Sequence, residues 1–199
     1  MAQQREAATL GMWAFLATEV LFFGGLFVSY TVYRHFYFAD FAAASRHTDV
    51  TFGTINSIIL LTSSFTMALA VRAAKMASQR LVSRHLLLTI FLGIFFLVIK
   101  GFEYHKDIVD HLIPGPHFNA EIPLHGQIFF YLYWIMTGLH GVHIIIGLAI
   151  MSILLGLNAR RTASLKNSQA IELAGLYWHF VDIVWLYLYP LLYLVGRHA

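Results

Sequence analysis

Six ionisable side chains lie inside segments that are otherwise apolar, and their types suit two kinds of chemistry. Carboxyl and imidazole groups carry protons in proteins, and both also bind metal ions. An ionisable group in an apolar environment is energetically costly unless it is paired, protonated or hydrated, so each one is a candidate functional residue. The six are Glu19, His140, His143, Glu172, His179 and Asp182.

Glu19 lies within GMWAFLATEVLFFGGLF, the apolar run from residue 11 to residue 27. Two interpretations stay open: a carboxyl group that is hydrogen-bonded to a neighbouring helix, and a proton-linked or lipid-linked role. Gly24 and Gly25 would let another helix or a lipid approach closely. Helical spacing places four apolar side chains on the same face as this carboxyl group: Phe15, Phe22, Phe23 and Leu26.

The segment IELAGLYWHFVDIVWLYLYPLLYL is the richest in polar groups. Offsets of seven and three residues place Glu172, His179 and Asp182 along one broad helical face. In TGLHGVHIIIGL, His140 precedes His143 by three residues. Together with the glutamate of the first segment, these residues could form a buried metal site, but the Glu-x-x-His pattern of di-iron bundles is absent from the sequence. Hydrogen bonding between helices is the favoured interpretation.

A charged pair marks the end of another apolar segment. In FLVIKGFEYH, Lys100 precedes Glu103 by three residues, a spacing that allows an ion pair on a helix. We predict that this pair lies at the membrane surface and anchors the helix there. The hydroxyl and amide groups of NSIILLTSSFTM predict contacts between helices, with Asn56 and Ser63 on one face and Thr62 and Thr66 on another.

The composition indicates an integral membrane protein. Of 199 residues, 59% are hydrophobic and 12% are charged, and the charges cluster between long uncharged stretches. The formal net charge of +3 is small, and the basic residues lie at segment ends, which argues against nucleic acid as a partner. The absence of cysteine excludes disulfides, iron–sulfur clusters, thiolate metal sites and covalently attached haem c in this sequence.

Five apolar segments are close to the ~20 residues that a helix needs to cross a bilayer. We therefore predict an all-α polytopic membrane protein with a single domain, 1–199. The predicted bundle has transmembrane helices at about 10–34, 53–75, 82–104, 127–157 and 171–195. The start of the chain has no small-residue cleavage motif, so we expect the first helix to be retained. The long connection between Gly101 and Gly126 contains PGP, which predicts an irregular excursion.

The distribution of Lys and Arg predicts the orientation. One side has Arg5, Arg72, Lys75, Arg80, Arg84, Arg160, Arg161 and Lys166, and the other has Arg34, Arg46, Lys100, Lys106 and Arg197. By the positive-inside rule, we expect a cytoplasmic N-terminus and a C-terminus outside. The charge and depth of Arg72, Arg160 and Arg161 make them candidates for contact with lipid headgroups.

Several stretches, in this order, resemble subunit III of haem-copper terminal oxidases: GMWAFLATEVLFFGGLF, Asn56 with TSSFTMALA, FLGIFFLVIKGFEY, HGVHIIIGL and ELAGLYWHFVDIVWLYLYPLLYL. The resemblance extends from about Gly11 to Tyr193, and WHFVDIVW is its most specific part. The mitochondrial form of that family has seven helices, and this chain resembles it from the third helix onward. An even number of preceding helices agrees with the orientation derived from charge.

The resemblance implies an accessory subunit without redox centres of its own, since haem and copper belong to subunits I and II of such oxidases. It also implies packing against subunit I, phospholipids held in a cleft between helices, and support for proton uptake. The residues that match the family motifs are Glu19, Lys100, Glu103, Glu172, His179 and Asp182. In the family these positions serve packing, hydrogen bonding and lipid or proton-antenna roles, which disfavours the metal hypothesis.

We therefore predict a non-redox subunit III of a proton-pumping terminal oxidase in the bacterial inner membrane. The motifs favour a cytochrome c oxidase over a quinol oxidase or a nitric oxide reductase. Subunits I and II, phospholipids and a respiratory supercomplex are the expected partners, and the Gly101–Gly126 connection could reach subunit II or a donor. Two alternatives from other classes are an independent transporter or proton channel built on Glu19, His179 and Asp182, and an intrinsic metalloenzyme.

Overall fold

A computed structural model describes residues 2–116, 118–159 and 169–195, and most of these residues are helical. The elements are α1 (Ala2–Phe36), α2 (Phe38–Ser45), α3 (Val50–Lys75), α4 (Gln79–Val109), α5 (Gly126–Ala159), α6 (Gln169–Tyr189) and a terminal π-helix (Pro190–Leu194). The predicted all-helical fold is confirmed.

Within the described residues, five helices are long and apolar enough to cross a membrane: Gln3–Phe36, Val50–Lys75, Gln79–Val109, Gly126–Asn158 and Gln169–Leu194. They correspond to the five predicted segments, and most extend further than the apolar pattern indicated. The largest extension is at the start of α1, because the Ala, Gln, Arg and Glu residues of AQQREAA are strong helix formers.

Two elements were absent from the sequence prediction. The short helix α2 forms in the connection between the first two predicted transmembrane segments, and it buries Phe41 and Ala44 against the bundle. At the other end of the chain, α6 changes to a π-helix at Pro190. Proline has no N–H group to donate to the carbonyl group four residues earlier, so the regular helical pattern is interrupted there.

The bundle has a core of four helices, α3 to α6, with the first helix at its edge. Helix α3 packs against α4 and α6, and α5 packs against α4 and α6. Helix α1 contacts α5, α6 and α2, and it is the least buried of the five spans. One side of α1 is therefore left uncovered by the described residues.

Trp178 of α6 lies at the centre of this packing. A Cβ atom on Gly93 of α4 would be 2.9 Å from its ring, and one on Gly147 of α5 would be 2.7 Å from it. The indole N–H group donates a hydrogen bond to Ser63 Oγ at 3.1 Å. The two glycines thus let α4 and α5 approach a tryptophan that is fully buried.

Candidate functional site

Glu19 of α1 forms a pair with His143 of α5. The distance from Glu19 Oε2 to His143 Nε2 is 3.0 Å, and the two side chains are 18% and 13% exposed. The other ring nitrogen, Nδ1, lies 2.8 Å from the carbonyl oxygen of Leu139. Since a carbonyl oxygen only accepts hydrogen bonds, Nδ1 carries a hydrogen.

This geometry places a hydrogen between Glu19 and His143. With Nδ1 protonated, Nε2 either accepts a hydrogen bond from a neutral Glu19 or belongs to an imidazolium that donates to a Glu19 carboxylate. One proton therefore lies between Glu19 and His143 in both cases. The neutral form and the ion-paired form differ by the movement of that proton over a single hydrogen bond.

Aromatic rings surround part of the Glu19–His143 pair. The Phe23 ring contacts the His143 ring edge-to-face, with the ring centroids 5.3 Å apart. The Tyr177 hydroxyl group of α6 donates to the backbone carbonyl of His143 at 3.0 Å. Phe15 and Phe22, which the helical pattern placed on the same face as Glu19, are exposed on the side of α1.

His140 lies three residues before His143 but has a different setting. Its ring lies between Trp185, at a centroid distance of 5.2 Å, and Phe96, at 5.7 Å. It is 1% exposed, and neither ring nitrogen has a hydrogen-bond partner among the described residues. The two histidines therefore do not converge on a common ligand position.

The three polar residues of α6 face α3 at separate heights. Glu172 lies 3.9 Å from Lys75 near one end of the bundle, where both side chains are partly exposed. The Nδ1 atom of His179 is hydrogen-bonded to Ser64 Oγ at 2.7 Å. The predicted shared face is thus present, but each residue has its own neighbours.

Asp182 is the most buried of these groups, with 3% of its surface exposed. Ser64 lies beside its carboxyl group, but neither oxygen meets hydrogen-bond geometry with any described residue. The six candidate residues of the sequence thus occupy separate positions, and only Glu19 and His143 form a pair with each other. Within residues 2–116, 118–159 and 169–195, no cluster of three His, Asp or Glu side chains could hold a metal ion. The metal site considered from the sequence is therefore not assembled, because the helical rotations aim these side chains at different neighbours.

Lys100 and Glu103 form the ion pair that their spacing allowed, and the pair lies inside the bundle. The Lys100 Nζ atom is 3.1 Å from Glu103 Oε2, and the two side chains are 6% and 1% exposed. Tyrosines of α5 and the π-helix cover the pair, whereas its predicted position at the membrane surface stays a prediction.

Three residues complete this site, and we call the five together the Lys100 cluster: Lys100, Glu103, Asp107, Tyr133 and Tyr193. Lys100 Nζ donates to the hydroxyl oxygens of Tyr133, at 3.0 Å, and Tyr193, at 2.6 Å. Glu103 Oε1 lies 2.9 Å from the Tyr133 hydroxyl and 2.6 Å from the Tyr193 hydroxyl. Asp107 Oδ2 lies 2.8 Å from the same Tyr133 hydroxyl group.

Aromatic faces surround the ammonium group of the cluster. The Nζ atom of Lys100 is 4.9 Å from the Tyr104 ring centroid and 5.7 Å from that of Trp185, distances typical of cation–π contacts. Sequence reasoning did not include Asp107, Tyr133 or Tyr193. A signal for Asp107 was present, since it lies four residues after Glu103 on the same helical face.

Residues 2–197 match the protein family described as cytochrome c oxidase subunit III. The chain belongs to the cytochrome c oxidase subunit III family. A relative named cytochrome c oxidase subunit 3, from Bacillus subtilis, is 33% identical over 187 residues, which cover 94% of this chain and 86% of that protein. The resemblance inferred from the motifs is confirmed, and the chain is an integral membrane protein.

Two further relatives of this subunit III chain have informative names. A protein of Aeropyrum pernix named heme-copper oxidase subunit I+III is 33% identical over 193 residues, covering 92% of this chain and 22% of that protein. A protein of Staphylococcus haemolyticus named probable quinol oxidase subunit 3 is 28% identical over 189 residues, covering 94% of this chain and 88% of that protein.

In this member of the subunit III family, the hydroxyl groups of α3 join helices, as predicted. Ser57 accepts a hydrogen bond from the Trp185 indole at 3.1 Å, and Thr66 is bonded to Thr89 of α4 at 2.7 Å. Thr66 is buried, whereas Thr62, four residues earlier on α3, is exposed, so it is Thr66 that makes the contact with a neighbouring helix. The buried Asn56 side chain has no hydrogen-bond partner among the described residues.

The basic residues proposed for lipid headgroups are only partly described. Arg72 is exposed in the last turn of α3, close to Lys75. Arg160 and Arg161 lie outside the described residues.

Asp49 connects two segments at the other end of the subunit III bundle. Its carboxyl group caps α3 by accepting from the Thr51 N–H group at 3.0 Å and forms an ion pair with Lys106 at 2.9 Å. Burial alone would raise the pKa of Asp49, but the hydrogen bond and charge of Lys106, with the N–H groups of Thr51 and Phe52, hold it below its ordinary value. The loop before α3 is thereby tied to α4.

Proposed function

We propose that this chain is the non-redox subunit III of a proton-pumping haem-copper oxidase that oxidises cytochrome c. The match to the subunit III family over residues 2–197 carries the proposal. The name of the Bacillus subtilis relative supports cytochrome c as the donor. We further propose that the chain acts as a single domain in the bacterial inner membrane, with the N-terminus in the cytoplasm and the C-terminus outside, in accord with the distribution of Lys and Arg.

A quinol oxidase is the second candidate, because the relative from Staphylococcus haemolyticus is named as a subunit of one. The two candidates differ in the electron donor of the complete complex. The test is to purify the complex through a tag on this chain and to measure oxygen consumption with reduced cytochrome c and, separately, with a quinol. Oxidation of cytochrome c supports the first candidate, and oxidation of the quinol alone overturns it.

Subunit I is the partner that we propose for direct contact. In the Aeropyrum pernix relative, subunits I and III are named together as one protein, and such a fusion requires that the two parts occupy the same complex. The uncovered side of α1 offers a surface for this contact. Leu21, Gly24, Gly25 and Val28 form a stripe along it, with helical offsets of three, four and seven residues.

This stripe, which we call the α1 stripe, combines exposed apolar side chains with open glycines. Leu21 is 77% and Val28 is 64% exposed, and a Cβ atom on Gly24 or Gly25 would meet no described atom of this chain within 4 Å. Small residues let helix backbones approach closely in membranes. A helix of subunit I, with phospholipid filling the remaining gaps, fits such a surface.

We propose that haem and copper are bound by subunits I and II. In support of this, Glu19, the Lys100 cluster and Asp182 lie apart from one another in this chain and do not converge on one ligand position. Association of the connection between α4 and α5 with subunit II, and membership of a respiratory supercomplex, stay predictions.

We propose that the Glu19–His143 pair supports proton uptake by the complex. The pair lies within the membrane-spanning part of the chain, is partly exposed, and holds one proton that can move between the two groups. Such a pair can exchange a proton with water or with a partner at the open side of α1. A Glu19→Gln variant keeps a hydrogen-bond donor but removes the exchangeable proton, so it tests this role directly.

An independent transporter or proton channel is the alternative from another class. Its candidate residues face different neighbours, since Glu19 pairs with α5 whereas His179 and Asp182 face α3. Purification in mild detergent distinguishes the two functions. A chain that is isolated alone, without the haem absorbance of partner subunits, would exclude the oxidase-subunit proposal.

A further inference from the structure

The Lys100 cluster contains more close contacts between oxygen atoms than its phenol groups can satisfy. The Tyr133 hydroxyl lies 2.9 Å from Glu103 Oε1 and 2.8 Å from Asp107 Oδ2. A phenol has one O–H hydrogen, so it can donate to one of these carboxyl groups and not to both. If both carboxyl groups were ionised, one of the two contacts would join oxygen lone pairs without a hydrogen between them.

The remaining donors of the cluster do not supply the missing hydrogen. The Lys100 ammonium group has three hydrogens, and its three polar neighbours are the Tyr133 oxygen, the Tyr193 oxygen and Glu103 Oε2. The Tyr193 hydroxyl has one hydrogen, and its acceptor is Glu103 Oε1 at 2.6 Å. None of these hydrogens lies between the Tyr133 oxygen and Asp107 Oδ2.

A proton on either carboxyl group removes this conflict, and the ion pair with Lys100 decides which group carries it. Asp107 carries a proton on Oδ2 and donates it to the Tyr133 oxygen, while Tyr133 donates its own hydrogen to Glu103. Placing the proton on Glu103 instead would still leave Tyr193 an acceptor, because a neutral carboxyl group accepts hydrogen bonds, but it would remove the counterion that lies 3.1 Å from Lys100 Nζ. The ion pair with Lys100 therefore selects Asp107.

The charges around Asp107 favour the same arrangement. On its own helix it faces one buried cation, Lys100, and two other carboxyl groups, Glu103 and Asp110. The Tyr133 hydroxyl faces it from α5, and Tyr193 of the π-helix lies on the far side of Glu103.

Lys106 is the other cation close to Asp107, and it is held by Asp49 at 2.9 Å. One ammonium group thus balances one carboxylate, and the second carboxyl group is left without a cation of its own.

We propose that the Lys100 cluster is a buried proton-binding site, in which one exchangeable proton bound at Asp107 holds α4, α5 and the π-helix together. Asp107 is 4% exposed and lies in the last turn of α4, next to the connection to α5, so the aqueous phase on that side supplies the proton. Loss of the proton leaves two carboxylates competing for one phenol hydrogen. The Tyr133 hydroxyl group of α5 then loses its contact with either Glu103 or Asp107 of α4.

The test is infrared spectroscopy of the purified oxidase complex, because a protonated carboxyl group has a C=O stretching band separate from the bands of carboxylates. We expect an Asp107→Asn substitution to remove one such band at neutral pH. A Tyr133→Phe substitution is expected to shift the same band, since Asp107 loses its acceptor. An Asp40→Asn substitution is the control at the same end of the bundle, because the Asp40 carboxyl group of α2 is paired with His125 at 2.9 Å, and it is expected to leave the band unchanged.

Asp182 is a second buried carboxyl group, so the assignment also needs a measurement that does not depend on assembly of an Asp107 variant. We propose ¹³C labelling of aspartate carboxyl groups in an Asp182→Asn background. A labelled band from a protonated carboxyl group is expected at neutral pH, and it is expected to disappear in a single step as the pH rises. If no labelled aspartate is protonated at neutral pH, or if Asp107→Asn leaves every band in place, the proposal is overturned. Neither result depends on the electron donor of the complex, so failure of this inference is distinguishable from failure of the proposed function.

Discussion

His143 forms hydrogen bonds with two helices: its Nδ1 atom donates to the Leu139 carbonyl of α5, and its Nε2 atom lies 3.0 Å from the Glu19 carboxyl group of α1. This second contact crosses from α5 to α1. It joins the most exposed helix of the bundle to the core through one shared proton.

Replacing Glu19 with Gln separates a structural role of this pair from a proton-transfer role. The amide N–H group can donate to His143 Nε2, so the contact between α1 and α5 is retained and the complex is expected to assemble. The exchangeable proton is lost, and we expect turnover under continuous oxygen consumption to decline earlier than in the wild type. The measurements are subunit stoichiometry and activity over time. A Glu6→Gln substitution, at an exposed site of α1, is the control, and failure of the Glu19→Gln chain to co-purify with subunit I would show that the carboxyl group is structural.

The Lys100 cluster predicts unequal effects for its two carboxyl groups. Glu103→Gln leaves a buried ammonium group without its counterion, and breaking a buried ion pair in this way costs about 3–5 kcal/mol. Asp107→Asn replaces a neutral group with another of the same shape, so its cost is that of one altered hydrogen bond, about 1 kcal/mol. The measurement is the temperature at which the chain is lost from the purified complex.

A double variant provides the control for this comparison. Lys100→Met together with Glu103→Gln removes both charges, and it is expected to be more stable than Glu103→Gln alone. Equal losses for the two single carboxyl variants would contradict the proton assignment, because they would mean that both groups are ionised.

Asp49 predicts a dependence of stability on pH at the end of the bundle where α3 begins. Its pKa is lowered in the folded chain, because Lys106 and two N–H groups offset the effect of burial. The stabilisation is therefore present above the ordinary aspartate pKa of about 3.9 and is lost as the pH falls through the lower, folded value. For a partly exposed pair the effect is small, below about 1 kcal/mol.

Two substitutions at this position separate the helix cap from the ion pair. Asp49→Asn keeps an acceptor for the Thr51 N–H group and loses only the charge, whereas Asp49→Ala loses both. We expect Asp49→Ala to lower the unfolding temperature more than Asp49→Asn at neutral pH. The difference between wild type and Asp49→Asn is expected to vanish in acid, and its persistence there would contradict the role of the ion pair.

The spans were predictable because apolar length alone decides which segments can cross a bilayer. Their ends were not, since residues such as Gln3 and Arg5 continue a helix through propensity after the apolar pattern has stopped. The π-helix depends on the loss of one N–H group at Pro190 together with the burial of Tyr193, and the second condition is a tertiary one.

Candidate residues were easier to identify than their partners. Helical periodicity shows which side chains share a face with Glu19 on its own helix. Pairing with His143 depends also on the rotation and height of α5, which periodicity alone does not reveal. The same limit explains why His140 and His143 were grouped although their rings lie in different places. Asp107 could have been found by following the face of Lys100 and Glu103 for one more turn.

The packing around Trp178 predicts opposite effects on stability for alanine substitutions at two glycines of α5. A Cβ atom on Gly147 would lie 2.7 Å from the ring, so Gly147→Ala forces the tryptophan or the helix to move and is expected to cost about 1–3 kcal/mol. Gly141→Ala adds its methyl group where no described atom lies within 4 Å, and alanine favours a helix over glycine by up to about 1 kcal/mol. Thermal unfolding of the complex, followed by Trp fluorescence, checks both. A stabilised Gly147→Ala variant would contradict the packing around Trp178.

The α1 stripe predicts where the bundle meets a neighbour. A Cβ atom on Gly25 would meet no described atom within 4 Å, so Gly25→Leu is expected to leave the fold of the bundle unaffected. If a helix of subunit I packs closely on this stripe, the added volume separates the two proteins, and we expect less of this chain to co-purify with a tagged subunit I. Gly101→Leu, on α4, is the matched control, because its Cβ position is equally open within the chain. Reduced recovery for Gly25→Leu with normal recovery for Gly101→Leu supports contact through α1. Normal recovery for both would mean that the stripe faces lipid, and subunit I would then have to contact another side of the bundle.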